Sequence, residues 1–345
     1  MSHLKSINLP KTVASNIIND SHHIEENYEP KTSLISRWIP YIQIARPDHW
    51  FKNIFMLPGI AFAAFDTPSS LSWNSVRHIF IGLFATCLVA SSNYTINEIL
   101  DAPKDRLHPI KKDRPIPSGK INLPMAYLEW IFLGVLGLAL GWLVNFHFFL
   151  CLSLLLFMGF LYNIPPVRLK DFPYLDVISE AINNPIRLCL GWFILIQAYP
   201  PTLSLIMAYW MIGAFFMTTK RFAEYRRIAD PAVAAKYRKS FSYYNDYRLL
   251  LSMVYYASAF SLFFGIFLIR YRIELILSIP FLAGFIPVYM RLGFWEDSPA
   301  QYPERLYKQK GLVFYTAFCL MIIVALLFID IPIIDRLFQP IHLPK

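Results

Sequence analysis

Charge, cysteine and histidine are all scarce in this chain of 345 residues. Charged residues make up 16% of it, against 56% hydrophobic and 17% aromatic, a balance too apolar for an ordinary soluble domain. The four cysteines, Cys87, Cys151, Cys189 and Cys319, all fall in apolar segments without CxxC spacing. That excludes a disulfide framework and a thiolate metal site and leaves small buried hydrophobes. Eight histidines include no HExxH, and only His108 stands near an acidic cluster, which argues against histidine-based metal or nucleophile chemistry. A GxxxxGKS or GxxxxGKT loop and a GxGxxG turn are also missing, so neither common nucleotide cradle is present.

What the chain has in quantity is long apolar runs, and its mean hydropathy is +0.42. They predict an all-α, polytopic membrane protein with nine transmembrane helices, at roughly 53–67, 78–97, 123–144, 146–163, 175–198, 201–219, 249–268, 273–290 and 312–332. The first contains Pro58 and Gly59 and is expected to be tilted or broken. The third carries Gly134, Gly137 and Gly141, small residues that let neighbouring helices approach. Residues 1–36 are polar and lack an apolar core, so no secretory signal is expected there but a flexible cytosolic extension. The membrane domain is expected over 37–345. From Arg37 to Lys52, Trp38, Tyr41, Trp50 and several basic residues alternate with Ile and Pro, as in a segment lying in the membrane interface.

The formal charge is +9, but the basic residues sit in loops between spans, which points to topology and away from nucleic acid. With the N-terminus inside, only Arg77, Arg270, Arg272, Arg336 and Lys345 fall outside, and Arg187 lies within the fifth span. The long polar loops are then cytosolic, as expected of an inner or plasma membrane protein.

The unusual acids cluster on that same side. In Asn97-Glu98-Ile99-Leu100-Asp101-Ala102-Pro103-Lys104-Asp105, helical spacing puts Glu98, Asp101 and Asp105 on one face. Pro103 cannot continue the hydrogen-bond ladder, so Asp105 is expected on a bent or separate turn. A second set, Asp176 and Glu180, opens the fifth span, with Asn184 and Arg187 continuing nearly the same face. Carboxylates where a span leaves lipid must be neutralised. Either a cation such as Mg²⁺ bridges them to a phosphorylated substrate, or they form internal ion pairs, Arg187 with Glu180 or Asp176. Lys112 and Arg114 follow the first set, and Lys220-Arg221-x-x-Glu224 opens the loop 220–248, with Lys220 and Glu224 spaced for an i, i+4 pair. That loop reads as a lid over a charged substrate or as a topology signal. Arg46, Lys52 and Asn53 form a further polar group at the mouth of the first span.

The stretch from Asn97 to Asp105 resembles the NDxxDxxxD signature of the UbiA superfamily of intramembrane prenyltransferases, over roughly residues 40 to 332. Within it, Arg46-Pro47-x-x-Trp50-x-Lys52-Asn53, His108-Pro109 with Lys112 and Arg114-Pro115-Ile116, Tyr162, Lys170, Asp176, Lys220-Arg221-x-x-Glu224 and Pro303-Glu304-Arg305-Leu306 are similar to the branch containing decaprenyl-phosphate phosphoribosyltransferase. Glu98 and Glu180 stand where the superfamily usually has Asp.

The resemblance implies a nine-helix bundle that moves 5-phosphoribose from 5-phosphoribosyl diphosphate (PRPP) to a polyprenyl phosphate and releases diphosphate. Glu98, Asp101, Asp105, Asp176 and Glu180 would hold Mg²⁺, with Asp101, Asp105 and Asp176 at the reaction centre. Asn97, Lys52, Asn53, Lys112, Arg114, Tyr162, Lys170, Arg187, Lys220 and Arg221 would contact the substrates. The alternatives are prenyl transfer from a lipid diphosphate to a small aromatic acceptor, and an ion-coupled transporter. The second is disfavoured because the acids gather at one surface and not at the bilayer midplane.

Overall fold

The computed structural model describes residues 34–106 and 111–338. The expected extension lies outside them except for residues 34–36, and so do His108 and Pro109. The chain divides after Pro40 into two units, and the bundle belongs to the second, from Tyr41 onward. Helix α1 is Leu34–Ile44, followed by a 3₁₀ segment, Pro47–Met56, and α2, Leu57–Asp66. Then come α3 Trp73–Asp105, α4 Leu123–Val144, α5 Phe146–Asn163, α6 Leu175–Ala181, α7 Asn183–Leu195 and α8 Leu203–Ile228. The remainder is α9 Pro231–Tyr237, α10 Asp246–Tyr271, α11 Ile279–Gly293, α12 Lys310–Phe328 and α13 Pro332–Leu337.

Among the described residues, seven helical stretches are long and apolar enough to cross a membrane: α3, α4, α5, α8, α10, Ile273–Gly293 (α11 with the 3₁₀ turn before it) and α12. The other two expected spans are built from shorter pieces. The first is the 3₁₀ segment plus the ten residues of α2. The fifth is interrupted at Ile182, between α6 and α7. Pro185 accounts for that break, since it has no N–H to bond the Ala181 carbonyl and its ring crowds the preceding turn.

Other helices outrun the expected spans. α3 continues through Pro103 to Asp105 without a separate turn; in the last turn, proline forfeits a single ladder bond. α8 continues to Ile228, so Lys220, Arg221 and Glu224 lie on a helix and the loop begins at Ala229. Starts are capped by side chains: Ser72 accepts from the Ser75 amide at 3.2 Å, Asn145 from Phe148 at 2.8 Å and Asn245 from Arg248 at 2.8 Å, satisfying otherwise orphaned donors.

The two largest of five buried apolar clusters bracket the site. Met56, Val89, Val144, Phe148, Ile186 and Leu190 join the 3₁₀ segment, α3, α4, α5 and α7. Val177, Phe215, Phe222, Phe241, Leu249 and Tyr289 join α6, α8, α10, α11 and the 229–245 loop. Backbones touch where glycine allows it: a Cβ on Gly191 would lie 2.0 Å from the Met56 carbonyl oxygen, and one on Gly137 would lie 2.7 Å from a Val89 methyl. The glycine stripe of α4 thus lets two neighbours approach, Gly137 facing α3 and Gly141 facing Leu152 and Phe148 of α5. Phe132, Val135, Phe157, Val254, Phe314 and Met321 are exposed, an apolar belt suited to lipid.

Candidate active site

The polar residues gather at the seam between the two clusters. With about 100° per residue, Glu98 and Asp105 lie within about 20° of each other around α3, while Asp101 is turned about 60° from Glu98. The structure follows that division. Asp105 accepts from Arg114 Nη1 at 2.7 Å, and Glu98, 4% exposed, accepts from the Ile116 amide at 3.2 Å. Asp101 meets a different set of cations, accepting from Arg168 Nη2 at 2.7 Å and from Lys170 Nζ at 2.8 and 2.9 Å. Asn97, one turn before Asp101, donates to Asn163 Oδ1, which also accepts from Lys170 Nζ at 3.0 Å. Burial draws the Lys170 ammonium down to about 8, with Asp101 pulling in the opposite direction.

Positive φ angles aim several of these groups: Arg46 has φ 51°, Arg168 φ 26° and Tyr174 φ 63°. For side chains other than glycine such angles cost about 1–3 kcal/mol each and gather at functional sites.

The second acidic set divides as well. Asp176, expected among the metal ligands, is completely buried and accepts from Arg221 Nε at 3.1 Å, Ser240 Oγ at 3.1 Å and Tyr244 Oη at 2.8 Å. Its partners are therefore protein donors, and it ties α6 to α8 and to the 229–245 loop. Arg221 extends the network, with Nη1 donating to Glu224 at 3.0 Å and Nη2 to Tyr162 Oη at 3.3 Å. The expected Lys220–Glu224 pair is replaced by Arg221–Glu224, because one guanidinium fork reaches three acceptors at once. Glu180 is half-buried, without an ion pair among the described residues.

Arg187 makes neither of the anticipated ion pairs. Its Nε donates to Asn53 Oδ1 at 2.9 Å and its Nη1 to the Asn183 carbonyl at 3.2 Å. Lys52 Nζ sits 5.4 Å from the Tyr94 ring centroid, and Lys112 is exposed, outside this network. The 229–245 loop is folded down: Ala234, Phe241 and Tyr244 join the core cluster, and Tyr237 Oη is 3.2 Å from Lys111 Nζ.

Sequence reasoning missed His49. It is 7% exposed, with Nδ1 2.9 Å from Asp48 and its ring edge-on to Tyr94 at 5.2 Å. Lys52, Arg46, Lys220 and Arg114 all act electrostatically on it. The signal was its place between Arg46 and Lys52 in a segment opened by Pro47. A cavity of about 400 Å³ beside it is lined by Arg46, Asp48, Glu98 and Arg114 among others.

A helical membrane bundle with acidic and basic side chains interleaved at one seam has the build of an intramembrane transferase for phosphorylated substrates. The profile of the UbiA prenyltransferase family matches residues 54–318, and the chain belongs to that family of membrane transferases. Decaprenyl-phosphate phosphoribosyltransferase of Mycolicibacterium smegmatis is 26% identical over 260 residues, 72% of this chain and 76% of that protein. The Mycobacterium tuberculosis protein of the same name is 28% identical over 257 residues, 69% of this chain and 76% of its own. A UbiA homolog from Archaeoglobus fulgidus, solved with GPP and Mg²⁺, superposes with a TM-score of 0.64 at 23% identity, covering 84% of this chain and 100% of that one. That likeness establishes the fold.

Proposed function

We propose that the chain transfers 5-phosphoribose from PRPP to a polyprenyl phosphate, releasing diphosphate, with the site open to the cytosol. The observation that carries the reading is the basic complement of the seam. Lys170, Arg168, Arg114 and Arg221 each pair with an acid, yet Lys52, Arg187 and Lys220 are in surplus. A diphosphate donor with a second phosphate, meeting an acceptor that is itself a phosphate, calls for such a surplus. A prenyl diphosphate meeting a neutral ring does not. The phosphoribosyltransferase relatives support the same choice.

Among the described residues no three His, Cys, Asp or Glu side chains converge as a metal cage. The donor set still fits Mg²⁺, which takes one or two carboxylates and completes its shell with phosphate oxygens and water. Asn97, Glu98 and Asp101 would hold it from α3, with Glu180 across the seam. When bound, the ion would offset the charge that builds on the departing diphosphate. Asp105 and Asp176, committed to Arg114 and Arg221, would orient those guanidiniums. Lys170 and Arg168 would take over phosphate oxygens as Asp101 turns to the metal. The acceptor phosphate is already ionised near pH 7 and needs no strong general base. It would attack ribose C1 from the face opposite the diphosphate, forming the C1–O bond as the C1–diphosphate bond breaks.

The test incubates purified protein with ribose-labelled PRPP, a polyprenyl phosphate and Mg²⁺. Label entering the organic phase with equimolar diphosphate is the expected result. Prenylation of an aromatic acid, with PRPP untouched, would overturn it in favour of the prenyltransferase alternative.

A further inference from the structure

The cations of the seam are of two kinds. Lys170, Arg168, Arg114 and Arg221 each contact a carboxylate within 3.1 Å. Lys52, Arg187 and Lys220 form no ion pair among the described residues. Arg187 is the extreme case, 7% exposed at the first turn of α7. Its acceptors, the Asn53 amide oxygen and the Asn183 carbonyl, fix its direction without discharging it. Asn53 is itself oriented, because its Nδ2 donates to Cys87 Sγ at 3.2 Å. A guanidinium buried without a counter-charge is costly, and proteins keep one where an anion is to arrive.

The three charges converge. Lys52 and Lys220 are within electrostatic reach of each other, and both act on His49. Tyr94 packs against Lys52 and His49 and acts on Arg187. Glu224, itself paired with Arg221 at 3.0 Å, acts on Lys220, and Glu180 acts on both Arg187 and Lys220, each beyond ion-pairing distance of these two cations. With Glu224 taken by Arg221, the three cations keep a surplus of positive charge suited to a phosphate dianion. Arg187 presents a fork for two phosphate oxygens, and the lysines add point charges.

We infer that Lys52, Arg187 and Lys220, walled by His49 and Tyr94, form a subsite for a phosphate monoester, separate from the acid-paired part of the seam. The assignment rests on the proposed reaction only in that the reaction supplies two such groups, the 5-phosphate of the donor and the head of the lipid acceptor.

Binding decides it without turnover. Calorimetric titration of the detergent-solubilised full chain, free of Mg²⁺ and PRPP, would use ribose 5-phosphate and farnesyl phosphate as the two monoesters. At least one should bind, and Lys52→Gln and Arg187→Gln should each weaken that one by about tenfold or more, the loss of one charge-assisted contact. Lys120→Gln, which removes an exposed charge, should change nothing. The monoester that loses affinity identifies the source. Should Arg187→Gln fail to fold, the half-buried Lys52 position decides alone. Absence of binding by both monoesters, or equal weakening by Lys52→Gln and Lys120→Gln, would overturn the subsite. Monoester binding through these residues by a protein that leaves PRPP untouched would sink the proposed reaction and keep the subsite. Phosphoribosyl transfer with monoester affinity unchanged in Lys52→Gln would do the reverse.

Discussion

Replacing Asp176 by asparagine keeps the shape of the side chain and removes its charge. Asp176 is completely buried, its partner Arg221 is 2% exposed, and the two meet at 3.1 Å. Removing one member of a buried pair leaves the other charge stranded, typically costing about 3–5 kcal/mol. Glu224 stays 3.0 Å from Arg221 Nη1, so the expected loss is at the lower end, about 3 kcal/mol. At about 2 °C per kcal/mol for a chain of this size, the midpoint of thermal unfolding in detergent should fall by about 6 °C. Tryptophan fluorescence on heating would read it. The same change also weakens the acceptor for Ser240 and Tyr244, so trypsin should cut faster at Arg238 and Lys239 in the loop. Adding Arg221→Met should recover part of the loss, since no stranded cation remains. An Asp176→Asn protein that melts within about 1 °C of the parent, with unchanged loop protection, would refute the assignment of Asp176 as the tie between α6, α8 and the loop.

Asp101→Asn should lower label transfer by about a hundredfold or more, measured at saturating PRPP, and chelation should abolish transfer until Mg²⁺ is restored. Lys170, held at about 8 by burial, is charged below that pH. Activity that needs the ammonium should therefore be full below about pH 8 and fall as pH rises through it, while Lys170→Arg extends the plateau upward; a flat profile would exclude the role. The same depressed pKa means the folded chain binds fewer protons than the unfolded one between about 8 and the usual lysine value of 10.5, so this group's contribution to stability rises with pH across that window. Gly191→Ala places a Cβ 2.0 Å from the Met56 carbonyl and should cost about 3 kcal/mol or more by forcing α2 from α7. Gly265→Ala, with open space at the same atom, should be neutral or gain about 0.5–1 kcal/mol; comparison of the two melting points checks the packing argument.

The membrane character, the helical class and the end at which the acids gather were legible because each follows from local composition and period. The glycine stripe of α4 was legible for the same reason. Partner choice was not. Periodicity placed Glu98, Asp101 and Asp105 on one side of α3, but which cation each would meet depends on Arg114, Lys170 and Arg168, supplied by other segments. The i, i+4 spacing of Lys220 and Glu224 was real, yet Arg221 won Glu224 through a geometry that also engages Asp176 and Tyr162. His49 was passed over because attention to histidine followed metal spacings. Its setting is electrostatic, made by Lys52, Arg46, Lys220 and Arg114 from three parts of the chain. The break at Ile182 lay within reach of Pro185, but hydropathy averaged over a span does not register a single missing N–H.

That break explains why the site lies where it does. α6 gives Val177 and Ala181 to one apolar cluster, and α7 gives Ile186 and Leu190 to the other. A continuous helix would present one stripe to one core. Interrupting it lets the two halves turn independently, so α6 packs into one cluster and α7 into the other. Side chains there cannot be satisfied by either core, and the sequence fills the position with Glu180, Asn183, Asn184 and Arg187. The opposite wall repeats the logic. The 3₁₀ segment ahead of α2 places Asn53 against Arg187, while Gly191 lets the Met56 backbone close against α7 one turn further on. Polar residues are costly inside a membrane protein, and Asn53, Asn183 and Arg187 meet where two imperfect spans face each other. A phosphorylated substrate entering at that seam meets charges already held in place by the fold.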